Sequence, residues 1–153
     1  MNIESKQTIL ITGIAGLLGS HLAGFLLNQG YKVVGIDDLS GGYADNVPEK
    51  AKLYKVNLQN SDAVDIIFEK ENPNYVFHFA AYAAEGLSRY IKKYNYENNV
   101  ISSVNIINSC IRHKVQKLIF SSSMAVYGSQ QTPFCEDMKP QPEDSYGIAK
   151  YSV

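Results

Sequence analysis

Thr8-Ile9-Leu10-Ile11-Thr12-Gly13-Ile14-Ala15-Gly16-Leu17-Leu18-Gly19-Ser20-His21-Leu22-Ala23 passes from an apolar, β-like run through regularly spaced glycines into an apolar helical start. Strand, glycine turn and helix N-terminus in that order give the glycines meaning. A helix start carries unpaired N–H groups and a partial positive charge, so a pyrophosphate docks there when no side chain obstructs it. Gly13 would permit the turn, Gly16 the close backbone approach, and Gly19 the packing of helix on strand. The spacing is G-x-x-G-x-x-G rather than the G-x-G-x-x-G of many dehydrogenases.

Outward from this turn, strand-like runs recur at 8–12, 32–37, 52–56, 75–79 and 117–121, and helical periodicity falls at 17–29, 61–71 and 95–113. In the last of these, Val100, Val104, Ile107 and Ile111 repeat at three- and four-residue spacing. Short apolar runs such as Tyr75-Val76-Phe77-His78-Phe79 suit strands covered on both faces. The pattern predicts an α/β fold: a doubly wound, Rossmann-type parallel sheet in three αβα layers. No linker, repeat or low-complexity stretch divides the 153 residues, which suffice for a single core.

Asp37 ends the second apolar run, about twenty residues past the turn, where a carboxylate accepts hydrogen bonds from an adenosine ribose. Asp38 follows it. A 2′-phosphate there would meet two carboxylates, and like charges a few Å apart cost up to about 4 kcal/mol at an effective dielectric near 20. The reading favours NAD over NADP.

A net charge of −1 offers no basic surface for nucleic acid. Residues 9–27 are apolar enough to imitate a signal-peptide core, but glycines, Thr12, Ser20 and His21 interrupt them and no clear A-x-A site follows. They read as buried strand and helix, with no membrane partner. Cys110 and Cys135 lie far apart without metal or C-x-x-C spacing, which points to a reduced, cytoplasmic setting. His21, His78 and His113 show no ligand spacing, so no metal site is expected.

A loop rich in proline and acids, Gly128 to Asp144, precedes Ser145-Tyr146-Gly147-Ile148-Ala149-Lys150-Tyr151, a helix start with Asp144 or Ser145 as its cap. Residues four apart share a helix face, so Tyr146 and Lys150 address one place. A free tyrosine titrates near pH 10, and bringing it to neutrality takes about 4 kcal/mol of preferential phenolate stabilisation. A nearby ammonium and an oxidised nicotinamide are the expected sources. Tyr146 then acts as the base toward a sugar hydroxyl, and Ser123, after the fifth strand, hydrogen-bonds the same oxygen.

These pieces resemble the first half of an extended short-chain dehydrogenase/reductase of the NAD-dependent nucleotide-sugar epimerase/dehydratase family, of UDP-glucose 4-epimerase-like type. The resemblance rests on Thr12-Gly13 through Gly19, Asp37-Asp38-Leu39-Ser40, Asn57-Leu58, His78-Phe79-Ala80-Ala81, Asn98-Asn99-Val100, Phe120-Ser121-Ser122-Ser123, Val126-Tyr127-Gly128 and Tyr146 to Lys150. It implies cofactor contacts at Gly13, Gly16, Leu17, Leu18, Gly19, Asp37, Asp38, Ser40, Asn57, Leu58, Phe79, Ala80, Ala81, Asn98, Ser121, Tyr146 and Lys150. It also implies catalytic roles for Ser123, Tyr146 and Lys150. Asn57 stands where many relatives carry Asp.

Dehydratases of this family place Asp-Glu after the serine, and uronic-acid decarboxylases retain the Glu. Met124 and Ala125 stand there in this chain, and neither transfers a proton. The resemblance therefore implies 4-epimerisation of a UDP-hexose through a transient keto-sugar. The alternatives are a reductase or dehydratase of the same family, or a non-catalytic NAD-binding module. Relatives often dimerise through helices after the fourth and fifth strands, which implies a possible homodimer. The whole span 1–153 is expected to be the NAD-binding domain, truncated before the C-terminal substrate lobe.

Overall fold

The computed structural model describes residues 7–153. Five strands, β1 (Thr8–Thr12), β2 (Lys32–Asp37), β3 (Lys52–Lys55), β4 (Tyr75–His78) and β5 (Lys117–Phe120), form one parallel sheet in the order β3-β2-β1-β4-β5. Each sits within a residue of its expected limits. Strand β1 is central, with Ile9 opposite Val33 on one side and Tyr75 on the other. The order reverses between β1 and β4, so a crevice opens at their carboxyl ends, where ligands bind in such sheets.

Alternation along β1 builds the layers. Ile9 and Ile11 point to one face and pack with Val33, Ile14 and the Ala23 and Leu26 side chains of α1 (Leu17–Asn28). Leu10 points to the other, where it meets Ile36, Val76, the Val64, Ile67 and Phe68 side chains of α2 (Ser61–Glu71), and Ile106. The sheet is thus apolar on both faces, as the β1 burial shows along its whole length. Between β2 and β3 the chain crosses without a helix, making only a short 3₁₀ turn at Ala44–Asn46.

After β4 come two short helices, α3 (Glu85–Ser88) and α4 (Lys92–Tyr96), then a π turn at Glu97–Ile101 that leads into α5 (Ser102–Arg112). The periodicity over 95–113 locates this helical stretch but not its inner face. Val104 and Ile111 are exposed, while Ser102, Ser103, Ile106, Ser109 and Cys110 turn inward. Small residues let α5 approach the sheet, and their hydroxyls find partners: Ser103 donates to Asn99 O at 2.6 Å and Ser109 to Asp65 at 3.1 Å. A 3₁₀ turn, Met124–Tyr127, follows β5, and α6 (Ser145–Tyr151) closes the described chain.

At the sheet's opposite rim, Glu71 is buried at the end of α2. It accepts hydrogen bonds from Lys32 (2.8 Å), Lys52 (2.6 Å) and Tyr54 (2.5 Å). Burial alone would raise its pKa; these donors outweigh it and hold the carboxyl at about 2. No helix among the described residues is long and apolar enough to cross a membrane.

Candidate functional site

The glycine turn is built by three different constraints. Gly13 has φ +71°, and a Cβ on it would lie 2.8 Å from Ala80 N, so both its backbone and its neighbour demand glycine. A Cβ on Gly19 would lie 2.2 Å from Gly13 O, because α1 presses directly on the turn. Gly16 is the opposite case. It is the N-cap of α1, with φ −84°, and a Cβ there would meet only Gly13 O at 3.4 Å. The first turn of α1 holds no acidic side chain and no side-chain cap, so its amides remain open to an anion.

In front of that helix end lies a groove of about 200 Å³. Of the residues named from sequence, Gly13, Gly16, Asp37, Asp38, Ser40, Asn57, Leu58, Phe79, Ala80, Ala81 and Asn98 line it. Leu17 and Leu18 flank it as exposed residues of the first helical turn, and Gly19 lies beneath. Ile36, Gly41, Gly42, Val56, Tyr82, Tyr94 and Ser102 also line it, and sequence reading missed them. Gly41 and Gly42 carried a signal in their adjacency to Asp37-Asp38; Tyr82 and Tyr94 carried none, since their rings meet edge to face only in the fold.

Asp37 is already engaged at one end of the groove. Its Oδ2 accepts from Ala15 N and its Oδ1 from Leu39 N, both at 2.9 Å. Each carboxylate oxygen retains a second lone pair. Asp38 accepts from Ser40 N and Oγ, and from Asn57 Nδ2 at 3.1 Å. The two carboxylates are therefore fixed side by side with no ion pair to either among the described residues, which leaves that corner negative.

Ser121, Ser123, Tyr146 and Lys150 do not line the groove; they gather beside it, where the end of β5 meets α6. Asp144 starts that helix by accepting from Tyr146 N (2.7 Å) and Gly147 N (2.9 Å), and Ser88 Oγ secures it from α3. Tyr146 and Lys150 are both buried on the inner face. Lys150 Nζ donates to Ser121 O at 2.8 Å and sits over the Phe120 ring, 4.5 Å from its centroid, and 5.9 Å from that of Tyr146. Burial brings its pKa down to about 8.

Tyr146 departs from expectation. Burial pushes its phenol above the usual value, a hydrogen bond with Ser123 pulls it back, and the Glu85 and Asp144 charges push it up again. The net direction among these influences is upward, with burial the largest. Ser123 also caps the 3₁₀ turn, accepting from Ala125 N at 3.1 Å. Beside it a smaller cavity is lined by Glu85, Met124, Ala125, Gly128, Ser129, Glu143 and Asp144.

Sequence reading singled out Asn98, which lines the groove and donates to Tyr94 O at 2.8 Å. It quoted Asn99 without giving it a role and missed Asn95, and these two join the halves of the site. Asn99 exchanges hydrogen bonds with the Tyr82 backbone and donates to Asn95 Oδ1 at 2.7 Å; Asn95 Nδ2 donates to Ser145 O at 2.8 Å. Both asparagines are buried. Their four-residue spacing was the available signal. Among the described residues no group of three or more His, Cys, Asp or Glu is placed to hold a metal ion.

Residues 9–153 match the profile of the NAD dependent epimerase/dehydratase family. The chain is similar to the UDP-glucose 4-epimerase of Dictyostelium discoideum, at 35% identity over 153 residues, covering 95% of this chain and 44% of that one. With the UDP-glucose 4-epimerase of Bacillus subtilis it shares 35% identity over 152 residues, covering 94% and 45%. Among solved structures, the UDP-glucose 4-epimerase of Thermotoga maritima with UDP-glucose superposes with a TM-score of 0.92 at 36% identity, over 95% of this chain and 48% of that one. The Thermus thermophilus UDP-glucose 4-epimerase complex with NAD gives 0.92 at 31% identity, over the same shares. The chain thus spans about half the length of these relatives.

Proposed function

Since this chain belongs to the NAD-dependent epimerase/dehydratase family, we propose that residues 1–153 are the NAD-binding domain of a nucleotide-sugar epimerase that inverts C4 of a UDP-hexose through a transient keto-sugar. That the chain spans 44% to 48% of these relatives' length supports reading it as one domain of a larger enzyme. One observation carries the reading: an open helix N-terminus and a fixed carboxylate pair lie on the same sheet edge as a buried Tyr–Lys pair.

The residues present fit NAD. Gly16 leaves the α1 amides uncovered for a pyrophosphate, Asp37 has lone pairs left for ribose hydroxyls, and the negative corner with Asp38 disfavours a 2′-phosphate. Leu58, Phe79, Ala80 and Ala81 supply groove wall, Asn57 and Asn98 line it with them, and Ser121 stands beside it with its carbonyl on the Lys150 ammonium. When bound, NAD supplies the hydride acceptor and donor. Tyr146 holds the proton of the reacting hydroxyl, Ser123 hydrogen-bonds the same oxygen, and Lys150 keeps a positive charge behind the phenol. Asn95 and Asn99 hold α6 against the groove, so proton site and cofactor keep one spacing.

A dehydratase of the same family is the second reading, favoured by Glu85. Met124 and Ala125 transfer no proton, but the Glu85 carboxylate reaches the Tyr146 neighbourhood from α3 and lines the same small cavity as Met124. A homodimer is supported by exposed Ile101, Val104, Ile111, Ile148 and Tyr151 on the helices after β4 and β5. A cytoplasmic location is supported by the two free cysteines.

The test joins this chain to the complete reading frame that contains it and follows UDP-glucose by mass spectrometry and proton NMR. UDP-galactose supports the epimerase; a keto-sugar product lighter by one water supports the dehydratase. Tyr146→Phe is expected to lower turnover by at least about a hundredfold. Unaltered turnover in that variant would remove Tyr146 from the proposed role.

A further inference from the structure

His78, at the carboxyl end of β4, is fully buried and is absent from the chemistry above. Its two ring nitrogens each meet a hydroxyl: Nδ1 lies 2.6 Å from Thr12 Oγ1 on β1, and Nε2 lies 2.8 Å from Ser103 Oγ on α5. The outer ends of this chain are backbone groups. Ala80 N donates to Thr12 Oγ1 at 3.1 Å, and Ser103 Oγ donates to Asn99 O at 2.6 Å.

Those ends fix every proton between them. Ser103 has one hydroxyl proton and spends it on a carbonyl, which can only accept, so toward His78 it must accept. Nε2 therefore carries the ring proton. Nδ1 is then bare and accepts from Thr12, whose oxygen in turn accepts from Ala80. A cationic imidazole would leave the Thr12 proton without an acceptor. Around the ring, β1 presents Thr12, α5 presents Ser103 and β5 presents Phe120, stacked at 5.6 Å; among the described residues the charged group acting on it is the Lys150 ammonium, which also sits over Phe120. Like charge and burial both keep the ring neutral.

Ala80 and Asn98 both line the groove. The former is one end of the chain; the latter sits beside the other end, within the π turn at Glu97–Ile101. Turns of this kind recur at functional sites. We propose that His78 is a positioning residue: as the neutral Nε2–H tautomer, it ties the Ala80 wall of the groove to the π turn that carries Asn98 and so sets the groove's width for the coenzyme. The assignment rests on the NAD-binding reading, since width matters only if a dinucleotide lies there.

The experiment has two arms on the 153-residue chain. Nitrogen-15 NMR of the imidazoles is expected to show His78 as Nε2–H, unchanged between about pH 5 and 8. An Nδ1–H tautomer or a ring that titrates in that window would overturn the proposal, whether or not NAD binds. In the second arm, calorimetry with NAD compares wild type with Thr12→Val, Ser103→Ala and Thr12→Ser. The first two are expected to bind about tenfold more weakly, and Thr12→Ser to restore wild-type affinity because it keeps the hydroxyl. Equal affinity in all four would reduce His78 to a support of the core and overturn the proposal. Failure of the wild type itself to bind NAD would instead overturn the functional reading, leaving the tautomer result to stand. Should Thr12→Val or Ser103→Ala not fold, the NMR arm decides.

Discussion

Gly16 and Gly19, read as the close-approach and the packing glycine, answer to different constraints in the fold. A Cβ at Gly19 would collide with Gly13 O, a backbone atom that cannot step aside, whereas one at Gly16 would project into the groove. Gly19→Ala is therefore expected to destabilise the chain by about 3 kcal/mol, read by urea unfolding. Gly16→Ala is expected to change stability by less than about 1 kcal/mol yet weaken NAD binding at least about tenfold, read by calorimetry. Asp37, Asp38, Tyr146 and Lys150 were legible because each lies at a fixed offset from a strand end or helix start. Asn95 was not, and Asn99 and His78 were visible only as members of motifs, without roles. Their roles depend on partners 25 or 50 residues away, such as Ser103 and Ser145, which only the fold brings near.

Elements were legible where pattern and burial agree. The strands alternate or run apolar because both sheet faces are covered, and all five emerged within a residue of their limits. The α5 stretch shows where pattern and burial part. Val104 and Ile111 of its apolar stripe face outward and its serines face the sheet, because small side chains permit close packing and their hydroxyls reach the Asn99 carbonyl and the Asp65 carboxylate. The short helices α3 and α4 carry too few turns for periodicity to register. For α6, the cap decides. Its seven residues are too few to be helical alone, and Asp144 satisfies two of the first N–H groups. Asp144→Ala is expected to cost about 1 to 2 kcal/mol of stability. Hydrogen exchange should then show faster loss of protection in α6 than in α5; equal rates would mean that packing on the asparagine pair alone holds the helix.

At the scale of the whole molecule, the two rims of the sheet serve separate ends. The carboxyl rim gathers the groove and the Tyr–Lys pair, while the amino rim is pinned by Glu71 between Lys32 of β2 and Lys52 of β3. Because the folded-state pKa of Glu71, about 2, lies below the ordinary carboxyl value of 4.5, its contribution is present above pH 4.5 and lost as pH falls toward 2. Both lysines are half exposed, so the contribution is screened to about 2 kcal/mol. Glu71→Gln is expected to lose that amount at pH 7 and to flatten the acid limb of the stability curve; an unchanged acid limb would show that the pin carries no net stability. The central claim concerns the other rim: a dinucleotide lies across it, with its phosphates on the open α1 amides and its ribose at Asp37. Titration calorimetry of the purified chain with NAD and NADP tests it most directly. The account predicts saturable one-site binding of NAD and at least about tenfold weaker binding of NADP. The absence of measurable affinity for either coenzyme would contradict it.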